Sequence, residues 1–319
     1  MTDPVAAVRR AVREFLESVE APPELCVAVS GGADSLALAE ATAHVGHRRG
    51  HTVRALVVDH RLQEGSAKVA EDAAAAARAL GVDAADVLRA EVGEEGGPEA
   101  AARKARYLAL GGHELVLLGH TLDDQAETVL LGLGRGSGPR SVSGMRPHDP
   151  PWGRPLLTTT RATTRAACAE LGVEPWQDPH NAEPRFTRVR LRAEVLPLLE
   201  DVLNGGVAAA LARTAAQLRE DTEALDTLAA ALLTRAGGPD GLEVSVLETE
   251  PAALRRRVLR RWLLDSGARD LTDAHLRSVD ALVGRWRGQG GVWLPGNLEA
   301  RRAHGRLCLS APQPTTRGE

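Results

Sequence analysis

The sequence predicts an α/β protein in which a parallel, twisted sheet carries helices on both faces and is followed by a smaller, mostly helical domain. Two observations support this fold class. From residue 25 to residue 133, short apolar segments of strand length alternate with helical patterns, as expected where helices cover a parallel sheet. Beyond residue 201 the pattern changes to long amphipathic stretches, which predicts a second domain packed from helices.

The first half of the chain supplies the strands and helices of the sheet. Strands are predicted at 25–29, 53–59, 86–90 and 115–119, and helices at 36–43, 67–80, 98–110, 122–133 and 161–171. Pro98 stands at a helix start, a position that proline favours. Residues 134–160, rich in Gly, Ser, Pro and Thr, are predicted to form a loop across the site, and 173–186 an irregular segment.

The second half is predicted to be mostly helical. Helical patterns cover 195–199, 206–235, 251–266 and 272–283, with a short strand at 242–246 and a small β meander at 291–309. The expected domains are therefore 1–200 and 201–311, with a disordered tail over 312–319.

Composition limits the classes of protein. The 319 residues carry a net charge of −4, so local basic patches have to hold any nucleic-acid partner. Cys26, Cys168 and Cys308 are too widely spaced for a disulfide framework or a cysteine metal cluster, which fits a reducing compartment. The sequence shows no secretory pattern or membrane-length apolar run, so we expect a cytoplasmic location without a membrane partner. It leaves open whether the chain is a monomer or a homodimer.

The most informative motif follows the first predicted strand and leads directly into a helix. Glycines let the backbone approach a ligand, and the first amides of a helix attract anions, so this loop is predicted to bind phosphate or pyrophosphate. The lysine of the kinase-type loop and the Gly-x-Gly-x-x-Gly fingerprint are both missing from it. A glycine turn with a serine helix cap is the alternative. The candidate residues are Ser30, Gly31, Gly32, Ala33, Asp34 and Ser35.

Carboxylates cluster at the start of the helix that follows the fourth predicted strand. Asp123, Asp124 and Glu127 share a helical face there. Mg²⁺ that bridges nucleotide phosphates uses a few carboxylates, and Asp34, Asp123 and Asp124 are the candidate ligands. A threonine stands three residues before Asp124, which is the spacing of a capping box. The alternative is therefore that Asp124 caps its helix instead of binding a metal ion.

Cationic and polar residues are predicted at the same edge of the sheet. Arg103 and Arg106 share a helical face and can supply the positive charge that the loop lacks, although a solvated basic face is the alternative. Asp59 and His60 end the second strand, where they suit ribose or metal contacts or form a simple turn. His120 can hydrogen-bond a phosphate or a leaving pyrophosphate, with a structural role as its alternative.

Further motifs follow in order over residues 22–200. They are Val-Asp-His at 58–60, Glu-Ala-x-Ala-Arg-x-x-Arg-Tyr at 99–107, Gly-His-x-x-Asp-Asp-Gln-Ala-Glu-Thr at 119–128, Arg-Gly-Ser-Gly at 135–138, Arg-Pro-Leu-Leu at 154–157, Asp-Pro-His-Asn at 178–181 and Arg-x-Arg-Leu-Arg at 188–192. The loop resembles that of the N-type ATP pyrophosphatases, or PP-loop enzymes, and the whole series resembles the tRNA(Ile)-lysidine synthase family. His180 and Val189 depart from the family pattern, which usually has serine and asparagine there.

The resemblance implies an adenine nucleotide alpha hydrolase-like, Rossmann-like PP-loop catalytic domain over 1–200 and a tRNA-binding domain over 201–311. It implies a ligase that uses ATP and Mg²⁺ to adenylate the wobble cytidine of the CAU anticodon of an isoleucine tRNA. Free L-lysine then attacks C2 and gives lysidine, which changes codon recognition from AUG to AUA. The implied catalytic residues are Asp34, His120, Asp123, Asp124 and Glu127, with the roles of the carboxylates left open.

Arginines are expected to bind the tRNA phosphates. The first predicted cluster contains Arg185, Arg188, Arg190 and Arg192, the second Arg255, Arg256, Arg257, Arg260 and Arg261, and Arg135 is a further candidate. Trp152 and Trp176, both predicted in loops, could stack on an unpaired base or pack over an arginine.

Two other functions fit the loop. A PP-loop tRNA thiolase also adenylates a base carbonyl, but the chain has no Cys-x-x-Cys pair. A non-enzymatic sensor that binds adenine nucleotides would not need the carboxylates or the two arginine clusters.

Overall fold

The computed structural model describes residues 3–61, 65–90, 93, 98–136, 138–178, 183–238 and 240–310, apart from the side chains of 98–100. The chain divides into two compact units, Met1–Leu218 and Arg219–Glu319. The tail predicted at 312–319 lies outside the described residues.

The first unit is built around a mostly parallel sheet. Its strands are β1 (Glu24–Val29), β2 (Thr52–Asp59), β3 (Ala84–Arg89), β4 (Val116–Leu117), β5 (His148–Asp149) and β6 (Trp152–Gly153). They lie in the order β3-β2-β1-β4-β6-β5, and only the pairing of β5 with β6 is antiparallel within the described sheet. This confirms the predicted α/β class, and it brings the carboxyl ends of β1, β2 and β4 to one edge.

Helices connect these strands. They are α1 (Pro4–Ser18), α2 (Ala33–Arg48), α3 (Ser66–Ala79), α4 (Pro98–Ala109), α5 (Leu122–Arg135), α6 (Pro139–Val142) and α7 (Arg161–Glu170). The helices predicted after the first four strands and at 161–171 are confirmed as α2, α3, α4, α5 and α7.

Side chains of β1 alternate between two apolar layers. Leu25 and Val27 belong to the core formed with α1, α2, α3 and α7, whereas Cys26 faces the opposite layer. Leu110, which follows α4, is fully buried in that second layer, and Tyr107 of α4 packs against it. Both faces of the sheet are therefore covered, as predicted.

Helix α1 was not predicted. It buries an apolar stripe that includes Val5, Val8 and Val12, at the spacing of an amphipathic helix, and it packs against α2 and α7. The Asp3 side chain caps it by accepting the Ala6 N–H at 2.9 Å. The Asp-Pro pair at 3–4 is an N-cap followed by proline, which is the local signal for this start.

The prediction of one continuous loop over 134–160 was wrong. This segment contains α6 and the two short strands β5 and β6, of which β6 extends the sheet beside β4. Strands of two residues are too short to show a hydrophobic period, so the pattern had no signal for them.

The chain then continues mainly as helices. These are α8 (Thr187–Arg190), a π-helical turn (Leu191–Val195), α9 (Leu196–Val202) and α10 (Val207–Ala236). Along the described parts of the chain, no single helix is long and apolar enough to cross a membrane. The bent pair Thr187–Val202 and Val207–Ala236, at 95° to each other, passes that test of length and composition only when taken together.

The second unit combines helices with a small sheet. Its elements after α10 are β7 (Gly237–Gly238), β8 (Gly241–Glu243), α11 (Val244–Glu248), α12 (Ala252–Asp265), α13 (Asp273–Gly284), β9 (Val292–Leu294), β10 (Leu298–Ala303) and β11 (Arg306–Ser310). The meander predicted at 291–309 is confirmed as β9, β10 and β11, which pair antiparallel. The strand predicted at 242–246 is only half right, since Val244 and Leu247 are both buried at helical spacing in α11.

Two glycines let the cleft-forming segments approach each other. Gly31, between β1 and α2, has φ +83°, a left-handed conformation that side chains disfavour. Gly119, just after β4, lies so close to α2 that a Cβ would stand 3.1 Å from the Asp34 carbonyl carbon and oxygen. A side chain at position 119 would therefore have to push the backbone at the start of α2 aside.

We expect Gly119→Ala to destabilise the protein by about 1–3 kcal/mol, because the new methyl group would push against backbone atoms of Asp34. Gly134→Ala, in α5 with nothing within 4 Å of an added Cβ, is the matched control and should be neutral or slightly stabilising. Urea unfolding of both variants measures the difference. Equal stability of the two would contradict the close approach of β4 to α2.

Candidate active site

A cleft of about 1180 Å³ opens at the carboxyl ends of β1, β2 and β4. This is the edge at which open α/β sheets bind their ligands. The loop after β1, the ends of β2 and β4, and residues of α4, α5 and α7 line it. Its polar lining includes Ser30, Asp34, Asp59, His60, Arg103, Arg106, His120, Asp124, Arg161, Arg165, Trp176 and Arg192.

The loop after β1 is braced by its own serines. The Ser35 hydroxyl accepts the Ser30 N–H at 3.1 Å and donates to the Gly32 carbonyl oxygen at 2.9 Å. Gly32 is the N-cap of α2, and no described side chain caps this helix. The first amides of α2 therefore keep their hydrogen-bonding capacity at the positive end of the helix dipole, which suits an anionic ligand.

Helix α4 brings two arginines to the cleft. The Arg106 Nε–H donates to His60 Nε2 at 3.3 Å, and burial together with the Arg106 cation lowers the pKa of His60. The Arg103 guanidinium lies 5.0 Å from the centre of the Tyr107 ring and donates to its hydroxyl at 3.2 Å. Asp59 also lines the cleft, but its Oδ1 accepts the N–H of the residue two positions on, so this carboxylate also closes the turn after β2.

Carboxylates and arginines converge where α2, α5 and α7 begin. Arg161, the first residue of α7, lies between two of the carboxylates: its Nε is 3.6 Å from Asp34 Oδ2 and its Nη2 is 2.7 Å from Asp124 Oδ1. The Arg192 Nε–H donates to Glu127 Oε1 at 2.8 Å. Because Glu127 is fully buried, these cations compensate a charge that has been removed from water. Asp34, Asp124, Glu127, Arg161 and Arg192 are called the carboxylate–arginine cluster below.

Asp124 and Asp123 take different positions although they are adjacent. Asp124 Oδ2 accepts the Thr121 N–H at 2.8 Å and completes the capping box of α5, while its Oδ1 faces Arg161. Asp123 Oδ2 instead accepts the backbone N–H of Arg161 at 2.8 Å. Asp123 is not among the described residues that line the cleft. Asp124 therefore caps α5 and also faces Arg161 in the cleft, whereas Asp123 supports the start of α7.

The environment separates the pKa values of two carboxylates in the cluster. Burial raises the pKa of Asp34, and a hydrogen bond from Thr164 and the Arg161 cation only partly oppose it. Burial acts in the same direction on Asp124, but Arg161 and the hydrogen bonds from Thr121 outweigh it and hold the pKa of Asp124 below its usual value. Asp124 is thus ionised at neutral pH, and Asp34 is the more readily protonated of the two.

His120 is an uncharged, incompletely bonded group in the cleft. Burial, reinforced by the cations of Arg154 and Arg103 among others, lowers the pKa of His120 to about 4. Its Nδ1 is buried and has no hydrogen-bond partner among the described residues. A neutral ring with a spare nitrogen can exchange a hydrogen bond with a ligand.

Sequence reasoning missed the contribution of α7. Besides Arg161, this helix supplies Arg165 to the cleft lining, and the Thr164 hydroxyl donates to Asp34 Oδ1. Two arginines in the first turns of a helix oppose the helix dipole, which favours anions there. That mismatch was the signal available in the sequence, since nearby carboxylates are one way to relieve it.

The first predicted arginine cluster is divided by the structure. Arg188 Nη1 lies 3.8 Å from Glu127 Oε2, and Arg192 belongs to the carboxylate–arginine cluster. Arg190 points away and pairs with Glu194 at 2.8 Å. Two of the residues expected to contact tRNA therefore compensate the charge of the buried Glu127. A contact between these arginines and RNA stays a prediction.

Arginines of the second predicted cluster make ion pairs and hydrogen bonds within the second unit. Arg255 pairs with Asp280 at 2.8 Å, and Arg256 donates to the carbonyl oxygen of Ala252 at 3.1 Å. Arg135 is exposed at the end of α5. Their predicted contacts with tRNA remain predictions.

The two tryptophans also differ. Trp152 lies in β6 rather than in a loop, and its ring packs edge-on against Tyr107 with 4.7 Å between ring centres. Trp176 does lie in an irregular segment, where its backbone N–H donates to the Gly31 carbonyl oxygen at 3.0 Å and the residue lines the cleft. Of the Asp-Pro-His-Asn motif, Pro179, His180 and Asn181 fall outside the described residues.

We expect His120→Gln to make the protein less sensitive to acid. Unfolded His120 takes up a proton near pH 6.5, whereas the folded protein keeps the ring neutral to about pH 4. Between these values the unfolded state binds more protons, so the free energy of unfolding of the unaltered protein falls as the pH drops. Urea unfolding measures this difference. Between pH 7 and pH 5 the free energy of unfolding should fall by about 1–2 kcal/mol more in the unaltered protein than in the variant. Equal losses would show that the pKa of His120 is the same in the folded and the unfolded protein, and would contradict the lowered value.

Comparisons with known proteins identify the families of the two parts of the chain. Residues 4–199 match the PP-loop domain family, and residues 242–308 match the TilS substrate binding domain. A solved structure of the U34-tRNA thiolase NcsA from Methanococcus maripaludis superposes with a TM-score of 0.56 at 16% identity, over 68% of this chain and 80% of that one. At that identity the likeness shows only a shared fold.

Two relatives are similar over nearly their whole length. The tRNA(Ile)-lysidine synthase of Nocardia farcinica is 59% identical over 312 residues, which cover 95% of this chain and 97% of the relative. The tRNA(Ile)-lysidine synthase of Rhodococcus erythropolis is 58% identical over 316 residues, with 97% and 96% covered. With an ATP-using PP-loop domain and a lysidine-synthase substrate-binding domain in the same order, the chain belongs to the tRNA(Ile)-lysidine synthase family.

Proposed function

We propose that this protein joins lysine to C2 of the wobble cytidine in the CAU anticodon of an isoleucine tRNA. The cytidine C2 carbonyl oxygen attacks the α-phosphorus of ATP, and pyrophosphate leaves. The ε-amine of free lysine then attacks C2, the C2–O bond breaks, AMP leaves and the ammonium proton is released. The observation that carries this proposal is the carboxylate–arginine cluster beside an anion-binding loop in one cleft, since the two steps need both a phosphate site and an ammonium site.

The loop after β1 and helix α4 suit the first step. The amides at the start of α2 can hold the phosphates, and Arg103 and Arg106 can neutralise the pyrophosphate as it leaves. His120 is neutral and offers a ring nitrogen for a hydrogen bond to the same group. Charge that develops on the phosphates is thus met by donors already in position.

The donor set also fits Mg²⁺. Asp34 and Asp124 both approach the position taken by the Arg161 guanidinium, and carboxylates with phosphate oxygens are the ligands that Mg²⁺ prefers. When bound, the ion would supply Lewis-acid neutralisation of the phosphate charge. Asp123, the third metal ligand expected from the sequence, supports α7 instead.

The same cluster suits the second step. Asp124 is ionised at neutral pH and can attract the lysine ammonium, while Arg192 and Arg161 can meet the lysine carboxylate. The ammonium must lose a proton before it can attack. Asp34, whose pKa burial raises, is the proton acceptor in the cleft, whereas His120, whose pKa is lowered to about 4, is too weak a base and serves as a hydrogen-bonding group.

A thiolase reaction is disfavoured by the thiols themselves. Burial raises the pKa of both Cys26 and Cys168 to about 11, so both stay protonated at neutral pH and are poor nucleophiles. In the proposal, residues 1–200 carry out the ATP chemistry and residues 201–311 bind tRNA, in the cytoplasm where both substrates occur. All the residues named for the site belong to one chain.

The test is to incubate the protein with ATP, labelled lysine and total tRNA. Label in tRNA, with AMP and pyrophosphate released in equal amounts, is the expected result. ATP that is bound but not consumed would support the sensor instead, and ATP cleavage without lysine uptake would contradict the ligase.

We expect Asp34→Asn and Asp124→Asn each to reduce lysine incorporation by at least about 100-fold, since each removes a charge that faces the reacting groups. Asp123→Asn is the matched control: the amide oxygen can still accept the Arg161 N–H, so incorporation should stay within a few-fold. Single-turnover incorporation measures all three. Loss of activity in Asp123→Asn equal to that in Asp124→Asn would contradict the division between these neighbours.

A further inference from the structure

A second cavity, of about 390 Å³, lies between α1 and α2. Its lining is strongly basic in a chain whose net charge is −4. The basic residues are Arg9, Arg10, Arg13, His44, Arg48 and Arg49. Arg48 lies nearly four helical turns beyond Asp34 along α2, about 21 Å, so the cavity is distinct from the cleft.

Only part of this positive charge is compensated. Arg9 pairs with the buried carboxylate of Glu40, and Arg49 lies 3.4 Å from Glu17. Arg10, Arg13 and Arg48, three further lining residues, are exposed. Within the described ranges, none of these three makes an ion pair or a side-chain hydrogen bond. The predicted RNA-binding arginines Arg190 and Arg255, by contrast, are paired with carboxylates.

A purely structural role accounts for only part of the cluster. Arg48 stands in the last turn of α2, where a cation is favourable to the helix dipole. Arg10 and Arg13 belong to α1 and have no such role, because they do not stand in its last turn. Burial and the cations of Arg9 and Arg48 also lower the pKa of His44, as expected for a ring in a positive field.

We propose that this α1–α2 cavity binds backbone phosphates of the tRNA, outside the nucleotides that enter the cleft. The inference rests on the proposed function, which supplies the polyanion. Three unpaired arginines around a concave surface suit successive phosphates, because each can donate two hydrogen bonds to one phosphate group. Contacts of this kind add affinity without reading sequence. The cavity would thus hold a part of the tRNA that the chemistry does not touch.

The experiment measures tRNA binding by the full-length protein as a function of salt, without ATP or lysine. We expect the triple variant Arg10→Gln, Arg13→Gln and Arg48→Gln to weaken binding at least tenfold at 150 mM salt. The slope of log affinity against log salt should fall by about 2–3, the value for three lost phosphate contacts. At saturating tRNA, lysine incorporation should be unchanged, since none of these residues lines the cleft.

Two variants serve as controls. Replacing the same three arginines by lysine keeps the charge and should restore most of the affinity and the slope. The second control is a triple variant that changes the net charge equally, at three exposed cations on α3 and β3: Lys68→Gln, Arg78→Gln and Arg89→Gln. Its tRNA affinity and its salt slope should stay near those of the unaltered protein. If the two glutamine triple variants lost tRNA affinity equally, net charge alone would explain the loss and the proposal would be overturned.

Other outcomes are also decisive. Unchanged tRNA affinity in the first triple would overturn the proposal. The proposal would also be overturned if the unaltered protein bound two equivalents of ATP and the first triple variant bound only one, with its tRNA affinity unchanged. A free nucleotide would then be the occupant of the cavity. If the unaltered protein binds tRNA with the expected slope but incorporates no lysine, the proposed function fails while the cavity proposal stands.

Discussion

The cleft depends on one buried electrostatic contact, the Arg161 guanidinium between Asp34 and Asp124. These three residues lie in the first turns of three helices that are separate in the sequence, and the contact fixes those helix starts relative to one another. An unpaired charge at this depth would be strongly unfavourable, and removing one partner of a buried pair typically costs 3–5 kcal/mol. The pairing therefore sets the geometry of the cleft as much as the sheet does.

The contact also determines how the cleft can respond to ligands. In the proposed function, a metal ion or a lysine ammonium would use the space between the carboxylates that Arg161 occupies, so the free protein already holds a cation there. A ligand that enters exchanges one cation for another, rather than burying a new charge. Such an exchange has a smaller desolvation penalty than filling a neutral pocket with a charged group. Preorganised charge of this kind is the usual basis of strong electrostatic catalysis.

Much of this architecture could be predicted from the sequence, because strands 25–29 and 53–59 and their following helices have strong periods and clear boundaries. The meeting of Asp34 with Asp124 followed from the rule that parallel strands end at one edge. Two features had no such signal. Strands β5 and β6 are two residues long, and the choice between Asp123 and Asp124 depends on a rotation of α5 that spacing alone does not define. Arg161 was missed because its carboxylate partners lie 34 to 127 positions away.

The arginines around Glu127 limit where the catalytic domain can be divided. The sheet is complete at β6, yet Arg188 and Arg192, which compensate the fully buried Glu127, come from the helical segment well beyond it. A fragment that stops after α7 would retain every strand of the sheet while exposing the cleft to an unbalanced negative charge. The modular unit that could be exchanged between proteins is therefore longer than its sheet. Its minimum length is set by charge balance rather than by chain topology.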